Sequence, residues 1–418
     1  MSSVATAGSA TYTPASDATR TGRIAALDVV RGVVMILMAV DHVRVYSGVP
    51  AGGPFAAIFF TRWITHFVAP AFAFFAGTSI YLHARKLGSP AATSRFLLTR
   101  GAWLILLELT VIRVSWTFNF DFANYMLAGV IWMLGWCMIL MAALSRLSAR
   151  TNAIVGGAVV ALHNVLDFAP SVTESFGPIG TLLYGGGVVN VGAPLFVLYV
   201  IVPWIGVMML GYAFGVVMAK PPAERKRTVL RIGVAATAAF LVLRVIDAYG
   251  DPRHWRVRPQ PVAQAAAPSA APIATQAPRP TASPTIRFLN TTKYPASLLF
   301  LLMTLGPMLI LLGIADGASG KLTDVLSTYG RVPFFYYLLH IPLIHAAACV
   351  VSLIREGRVD PWLFTNHPMN PGDLPAGYMW PLWLLYLVFA ICVVLLYFPC
   401  RWFARLRATG RHPFLSYL

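Results

Sequence analysis

Apolar stretches of membrane-crossing length recur along the chain, near 27–46, 64–82, 96–114, 126–144, 153–168, 195–219, 229–247, 296–315, 331–354 and 380–403. A helix crosses the hydrocarbon with about 17–25 predominantly apolar residues. The pattern therefore predicts an all-α fold, a polytopic transmembrane helical bundle of about ten membrane-spanning helices. The fifth stretch is short and glycine-rich.

Between these stretches the polar positions divide into tails, short loops and one insertion. Residues 1–22 are Ala/Ser/Thr-rich and are expected to form a disordered tail. They have no apolar core of their own, so no cleaved signal peptide is expected. Residues 23–407 make the membrane domain, and 408–418 a basic C-terminal tail. Inside the domain, the Ala/Pro-rich insertion 261–284 lacks the apolar surface that would offset its ordering entropy. Its flanks differ. GDPRHW (250–255) and FLNTTKYP (288–295) are polar and aromatic, and read as ordered loop ends that close over a cavity.

Charge sharpens the picture. Of 418 residues, 58% are hydrophobic and 11% charged, yet the formal net charge is +17. The cations sit in short loops between apolar runs, which points to a lipid bilayer as partner and not to nucleic acid. Arg20 and Arg23 precede the first run, Arg85, Lys86, Arg95 and Arg100 follow the second, Arg146 and Arg150 the fourth, and Lys220 to Arg231 the sixth. With ten spans these loops share one side with the tail arginines Arg401, Arg405, Arg407 and Arg411. Both termini are then cytoplasmic, in a multi-pass protein of the cytoplasmic (inner) membrane. The 248–295 loop is the exception, since it is basic and falls outside. Reading 179–194 as a further span would turn it inward, but would expose the basic 220–231 loop and the tail.

Candidate chemistry concentrates in the first run, LDVVRGVVMILMAVDHVRVY, which carries Asp28, Arg31, Asp41, His42 and Arg44. An ionisable side chain within a bilayer is costly, and marks a functional hypothesis with a partner to be found. Asp28 and Arg31 are three apart and share a helical face. His42 lies within roughly 20° of Arg31 around the helix and about 16 Å further along it. The bland alternative is an interfacial Asp–Arg pair at a helix start and a histidine packed in the bundle. By depth, His42, His66 and His345 are expected in the outer half with Arg62, and His340 nearer the middle. His340 and His345 are five apart, about 140° around a helix, so only one can face a cavity unless Pro342 bends the helix. His83 and His163 read as packing or loop residues, and His412 as solvated.

Several classes drop out. The four cysteines have no CxxC spacing and predict neither a disulfide framework nor zinc. No H-E-x-x-H, G-x-S-x-G or P-loop occurs, so no metal, serine-hydrolase or nucleotide site is expected. What remains is a histidine among carboxylates and cations, the set that acyl transfer needs: a base for an amine or hydroxyl proton and donors for a developing oxyanion. A proton-coupled transporter of a small polar substrate is the alternative that the same intramembrane Arg and His allow.

R-x-x-x-L-D-x-x-R-G, from Arg23 to Gly32, followed by a helix ending in Asp-His, resembles the start of the heparan-α-glucosaminide N-acetyltransferase-like family of multipass membrane acyltransferases. RWITHFVAPAFAFFAGTSIYL (62–82), FLNTTKYPASLLFLLMTLGP (288–307) and YGRVPFFYYLLHIPLIH (329–345) resemble its bacterial branch. The resemblance implies acetyl-CoA or another acyl-CoA as donor on the cytosolic side. It implies a glycan or cell-envelope acceptor on the other side, and is compatible with a homodimer. Mapped onto this chain, Arg31 and the basic loops at 85–100 and 220–231 would meet the donor's phosphates, with Asp28 beside Arg31 in the donor-binding set. His42 would be base or transient acyl carrier, with Asp41 orienting it. Arg62, His66, Asn290, Thr292, Lys293 and His340 would face substrate. The animal sugar acetyltransferases differ in two ways. They place an asparagine at the position of His42, and their catalytic histidine falls near Ala56.

Overall fold

A computed structural model describes residues 24–256, 282–368 and 374–409. The predicted disordered tail 1–22, most of the 261–284 insertion, and the tail residues Arg411 and His412 lie outside the described residues. The longer helices are α1 (Ala25–Tyr46), α2 (Ala56–Leu87), α3 (90–117), α4 (Val130–Leu144), α5 (Ala149–Phe168) and α6 (Val202–Met218). After these come α7 (Pro222–Ile246), α8 (Leu298–Ala315), α9 (Lys321–Arg331), α10 (Pro333–Glu356) and α11 (Leu382–Ala408). A helix thus occupies every predicted apolar run, and the chain is an all-helical membrane protein in its main architecture.

By length and composition, α2, α5, α7, α8, α10 and α11 are apolar enough to cross a membrane, and α4 and α6 are shorter apolar helices. Their outward faces carry exposed large side chains, among them Leu241 and Val242 on α7 and Trp383, Val394 and Phe398 on α11. Bare apolar surface on that scale belongs against lipid.

Without a hydrophobic drive between helices in lipid, close backbone packing takes over. Glycines make it here. A Cβ on Gly77 of α2 would lie 2.0 Å from the Met208 carbonyl oxygen of α6, and one on Gly211 would lie 1.9 Å from that of Phe74. Gly101 and Gly135 bring α3 against α4 in the same reciprocal way, and Gly233 and Gly306 bring α7 against α8.

Connections sort into two ends. At one, Asn119 Nδ2 donates to the Phe364 carbonyl (2.7 Å), and the Trp380 amide to that of Ser47 (2.9 Å). At the other, Arg146 meets Ser94, Arg225 makes a two-pronged pair with Asp316 (2.7 Å each), and Arg407 reaches the Arg331 carbonyl. The basic loops therefore gather at one end, as the charge pattern predicts.

Two features escaped the hydropathy pattern. A three-stranded sheet lies at the less basic end, β1 (Met126–Ala128), β2 (Gly187–Asn190) and β3 (Pro194–Val197), in the order β1-β3-β2. β1 is parallel to β3 (Met126 opposite Leu195), and β2 antiparallel to it (Val188 opposite Phe196). The other is α9, polar on one side and buried on the other. Gly330 abuts the Asp28 carbonyl of α1, and Gly32 abuts that of Leu326. Because α9 occupies the space beside the first turns of α1, α10 begins deeper in the bundle. This corrects the predicted depths. His340, seven residues past Pro333, is level with His42, seventeen past Ala25; His345 pairs one turn further out with Tyr46 (ring centroids 4.6 Å).

Candidate functional site

α1 brings Met38, Asp41 and His42 into one wall of a small cavity. Thr65, Val68 and Ala69 of α2, Val130 at the start of α4, Tyr199 and Lys293 complete it. Its volume is about 40 Å³, room for a water or two and not for a substrate.

Asp41 is the charge centre. Its Oδ1 accepts from Arg44 Nε (2.9 Å), and its Oδ2 from Arg62, whose Nη1 also lies 3.2 Å from Thr65 Oγ1. Asp41 is partly buried, its side chain 18% exposed, and a carboxylate with two guanidinium partners is well compensated. It is also fully engaged. Asp41 is therefore committed to the two arginines, and another residue contacts the neighbouring imidazole directly.

That residue is His340. Its Nε2 lies 2.5 Å from His42 Nδ1, and its Nδ1 lies 2.6 Å from the Tyr337 carbonyl oxygen. A carbonyl only accepts, so in the neutral pair His340 carries its proton on Nδ1 and accepts at Nε2. His42 must then donate from Nδ1. The lone pair of His42 is left on Nε2, in a ring that lines the cavity. Trp116 packs edge-on against that ring at 4.6 Å and fixes its plane.

Lys293 is the cation of the opposite wall. It is buried, with its Nζ 5.2 Å from the Tyr294 ring centre and 5.9 Å from that of Tyr199. Among the described residues no carboxylate forms an ion pair with it. Burial, followed by the nearby Arg62, holds its pKa below the ordinary lysine value. Such an ammonium gains from any negative charge that develops beside it.

The remaining candidates have other surroundings. Thr292 donates to Asp251 through both its amide (2.8 Å) and its hydroxyl (3.0 Å), and Ser297 adds a third bond (2.8 Å). Asn290 accepts from Arg253. These two residues fasten FLNTTKYP to GDPRHW, and so set the position of Lys293. His66 is buried edge-on to Phe300, with an Nδ1 that has no partner among the described residues. Asp28 and Arg31 lie about three to four turns from His42, as an ion pair at 3.8 Å, with Arg31 also bonded to Ser79 and the Phe75 carbonyl. His345 faces two carbonyls, those of Ser115 and Leu363, as a brace. His163 does likewise against Ala296.

Sequence reasoning noted Arg44 but not its pairing with Asp41, three residues before it on the same helical face, and it missed Trp116, Tyr199, Tyr294 and Asp251. The aromatic walls had no signal, because their approach depends on the tertiary fold.

Comparison with known families finds one description, "Heparan-alpha-glucosaminide N-acetyltransferase, catalytic", matching residues 23–245. The match includes Asp41, His42, Arg62 and His66, whereas Lys293 and His340 lie beyond it. No curated protein matches the chain.

Proposed function

From the premise that this chain belongs to the heparan-alpha-glucosaminide N-acetyltransferase catalytic family, we propose that it moves an acetyl or short acyl group from acyl-CoA onto a sugar or cell-envelope acceptor. The observation that carries this reading is the His42–His340–Tyr337 chain. It leaves a basic nitrogen in a cavity that also holds the Lys293 ammonium, which has no carboxylate ion-pair partner among the described residues.

The steps follow from the groups present. His42 Nε2 takes the proton as the acceptor's amine or hydroxyl attacks the thioester carbonyl. The oxyanion so formed is stabilised by Lys293. Collapse of the intermediate breaks the carbon–sulfur bond, and the proton on His42 returns to the departing thiolate. If the acyl group first rests on His42, the same Nε2 lone pair is the nucleophile. His340 shares the positive charge through Nδ1 in either route. Arg31, about 16 Å nearer the basic end, suits a donor phosphate, with the thioester arm reaching along α1.

The test uses purified protein in nanodiscs. Acyl-CoA and free coenzyme A should raise its melting temperature by mass action, and acyl transfer to a pool of amino sugars should depend on His42. No stabilisation by either compound, with pH-driven solute flux instead, would replace the reading by a transporter.

A further inference from the structure

Between α5 and β3 the chain does something unusual for a loop. Pro170–Ser175 and Gly177–Gly180 are short helical turns, followed by a π turn at Thr181–Gly185 and then β2. Phe168, Val172, Phe176, Ile179, Leu183 and Val188 are all exposed, Phe168 to 71% and Phe176 to 62%. Val172, Phe176, Ile179 and Leu183 are spread over three successive short turns, and each leaves its side chain exposed. From 168 to 194 there is no Lys or Arg, and Glu174 is the sole acid. An apolar surface of this extent, so poor in charge and continuous with the lipid-facing side of α5 (Ile154, Leu162), fits the hydrocarbon edge of a membrane and not water.

Behind this surface lies a second cavity of about 240 Å³, bounded by the Gly185–Gly187 backbone, Phe196, Tyr294 and Pro295. Tyr294 lines this cavity, and Tyr199, which touches Tyr294, lines the His42 cavity. Their rings meet edge-on at 5.3 Å and their hydroxyls at 3.4 Å. Tyr199 and the residue beside Tyr294, Lys293, line the inner cavity themselves.

We infer that the 168–191 segment is embedded in the non-cytoplasmic leaflet, and that the 240 Å³ cavity receives the head group of an alkyl-anchored amphiphile entering sideways from the lipid. The tail stays against Phe176 and Ile179, and the Tyr199–Tyr294 pair must part for the head group to reach His42. This rests on the acyl-transfer reading for its chemistry, but its placement in the membrane is separate.

The experiment has two arms, both on the full chain in proteoliposomes. In the first, Phe176→Cys in a Cys349→Ala background carries a fluorophore, and lipid-borne nitroxides are compared with aqueous iodide. Strong quenching by shallow nitroxides with weak quenching by iodide is expected; the reverse, or a label shielded from both by a second copy of the chain, overturns the placement. In the second arm, acyl transfer to dodecyl glucosaminide is compared with transfer to methyl glucosaminide. The long-chain acceptor should have at least a tenfold lower KM. Phe176→Ser with Ile179→Ser should erase that difference while leaving methyl glucosaminide transfer unchanged. A difference that survives the double variant overturns the sideways route. If neither glycoside is acylated, the acyl-transfer reading falls and the quenching still decides the placement.

Discussion

His42 Nδ1 and His340 Nε2 lie 2.5 Å apart although 298 residues separate them in the chain. Because the Tyr337 carbonyl takes the other proton of His340, the pair has one neutral arrangement, and it is the one that frees His42 Nε2. His42→Ala should therefore retain donor binding and lose turnover by about 10² to 10⁴. His340→Gln should lose about 10- to 100-fold, the usual cost of removing a residue that orients another. It should also shift the pH profile of kcat, which a merely structural substitution would not do. Donor affinity and kcat measured across pH on both variants check this.

Lys293 presents a trade-off with a definite sign. Its pKa in the folded protein is depressed by burial. The cost of holding its proton is therefore complete at any pH below that folded value, and disappears as pH rises past the ordinary lysine value. Lys293→Met should then be more stable than the parent at neutral pH, with the gain shrinking in alkaline buffer. Turnover should fall by about 10² to 10³ if the ammonium faces the oxyanion. Thermal melts at neutral and alkaline pH, with transfer assays alongside, separate the two effects.

Arg62 and Arg44 hold Asp41 from two sides, so removing one leaves a partly buried charge short of a partner. Arg62→Ala should cost about 3–5 kcal/mol in stability. Arg62→Lys should recover only part of it, since a point charge cannot reproduce the guanidinium's reach to both Asp41 and Thr65. Unfolding followed in mild detergent gives both numbers.

Arg31 is expected to act on binding and not on rate. Losing a charge-assisted contact to phosphate costs about 1.5–3 kcal/mol, so Arg31→Ala should weaken acyl-CoA affinity by about 10- to 100-fold with kcat at saturation little changed. Equal affinity in parent and variant would move the donor elsewhere.

Much of the frame was readable before the structure, for a simple reason. Spanning helices must be long and apolar, so each of the ten runs announced itself, and polar residues inside one of them, Asp41 and His42, stood out. α9 was invisible because Lys321, Asp324 and Arg331 make it hydrophilic on average, although its other side packs on Gly32. That omission moved His340 by about one and a half turns in the predicted depths and hid its contact with His42. The ion pairs of Asp41 with Arg44 and Arg62 could not be placed, because adjacency in sequence says nothing about direction around a helix. GDPRHW and FLNTTKYP were recognisable as ordered loop ends, but the side chain that joins them, Asp251, could not be told from the other polar residues there.

Arg244 is wholly buried at the end of α7, and spends its guanidinium on the carbonyls of Arg253, Arg287, Phe288 and Asn290. It thereby ties together the two stumps from which residues 257–281 depart. The position is accordingly a natural socket. A compact folded domain whose own ends lie close together should be tolerated between residues 258 and 280, with acyl-CoA binding unaltered, and Arg244→Ala should abolish that tolerance.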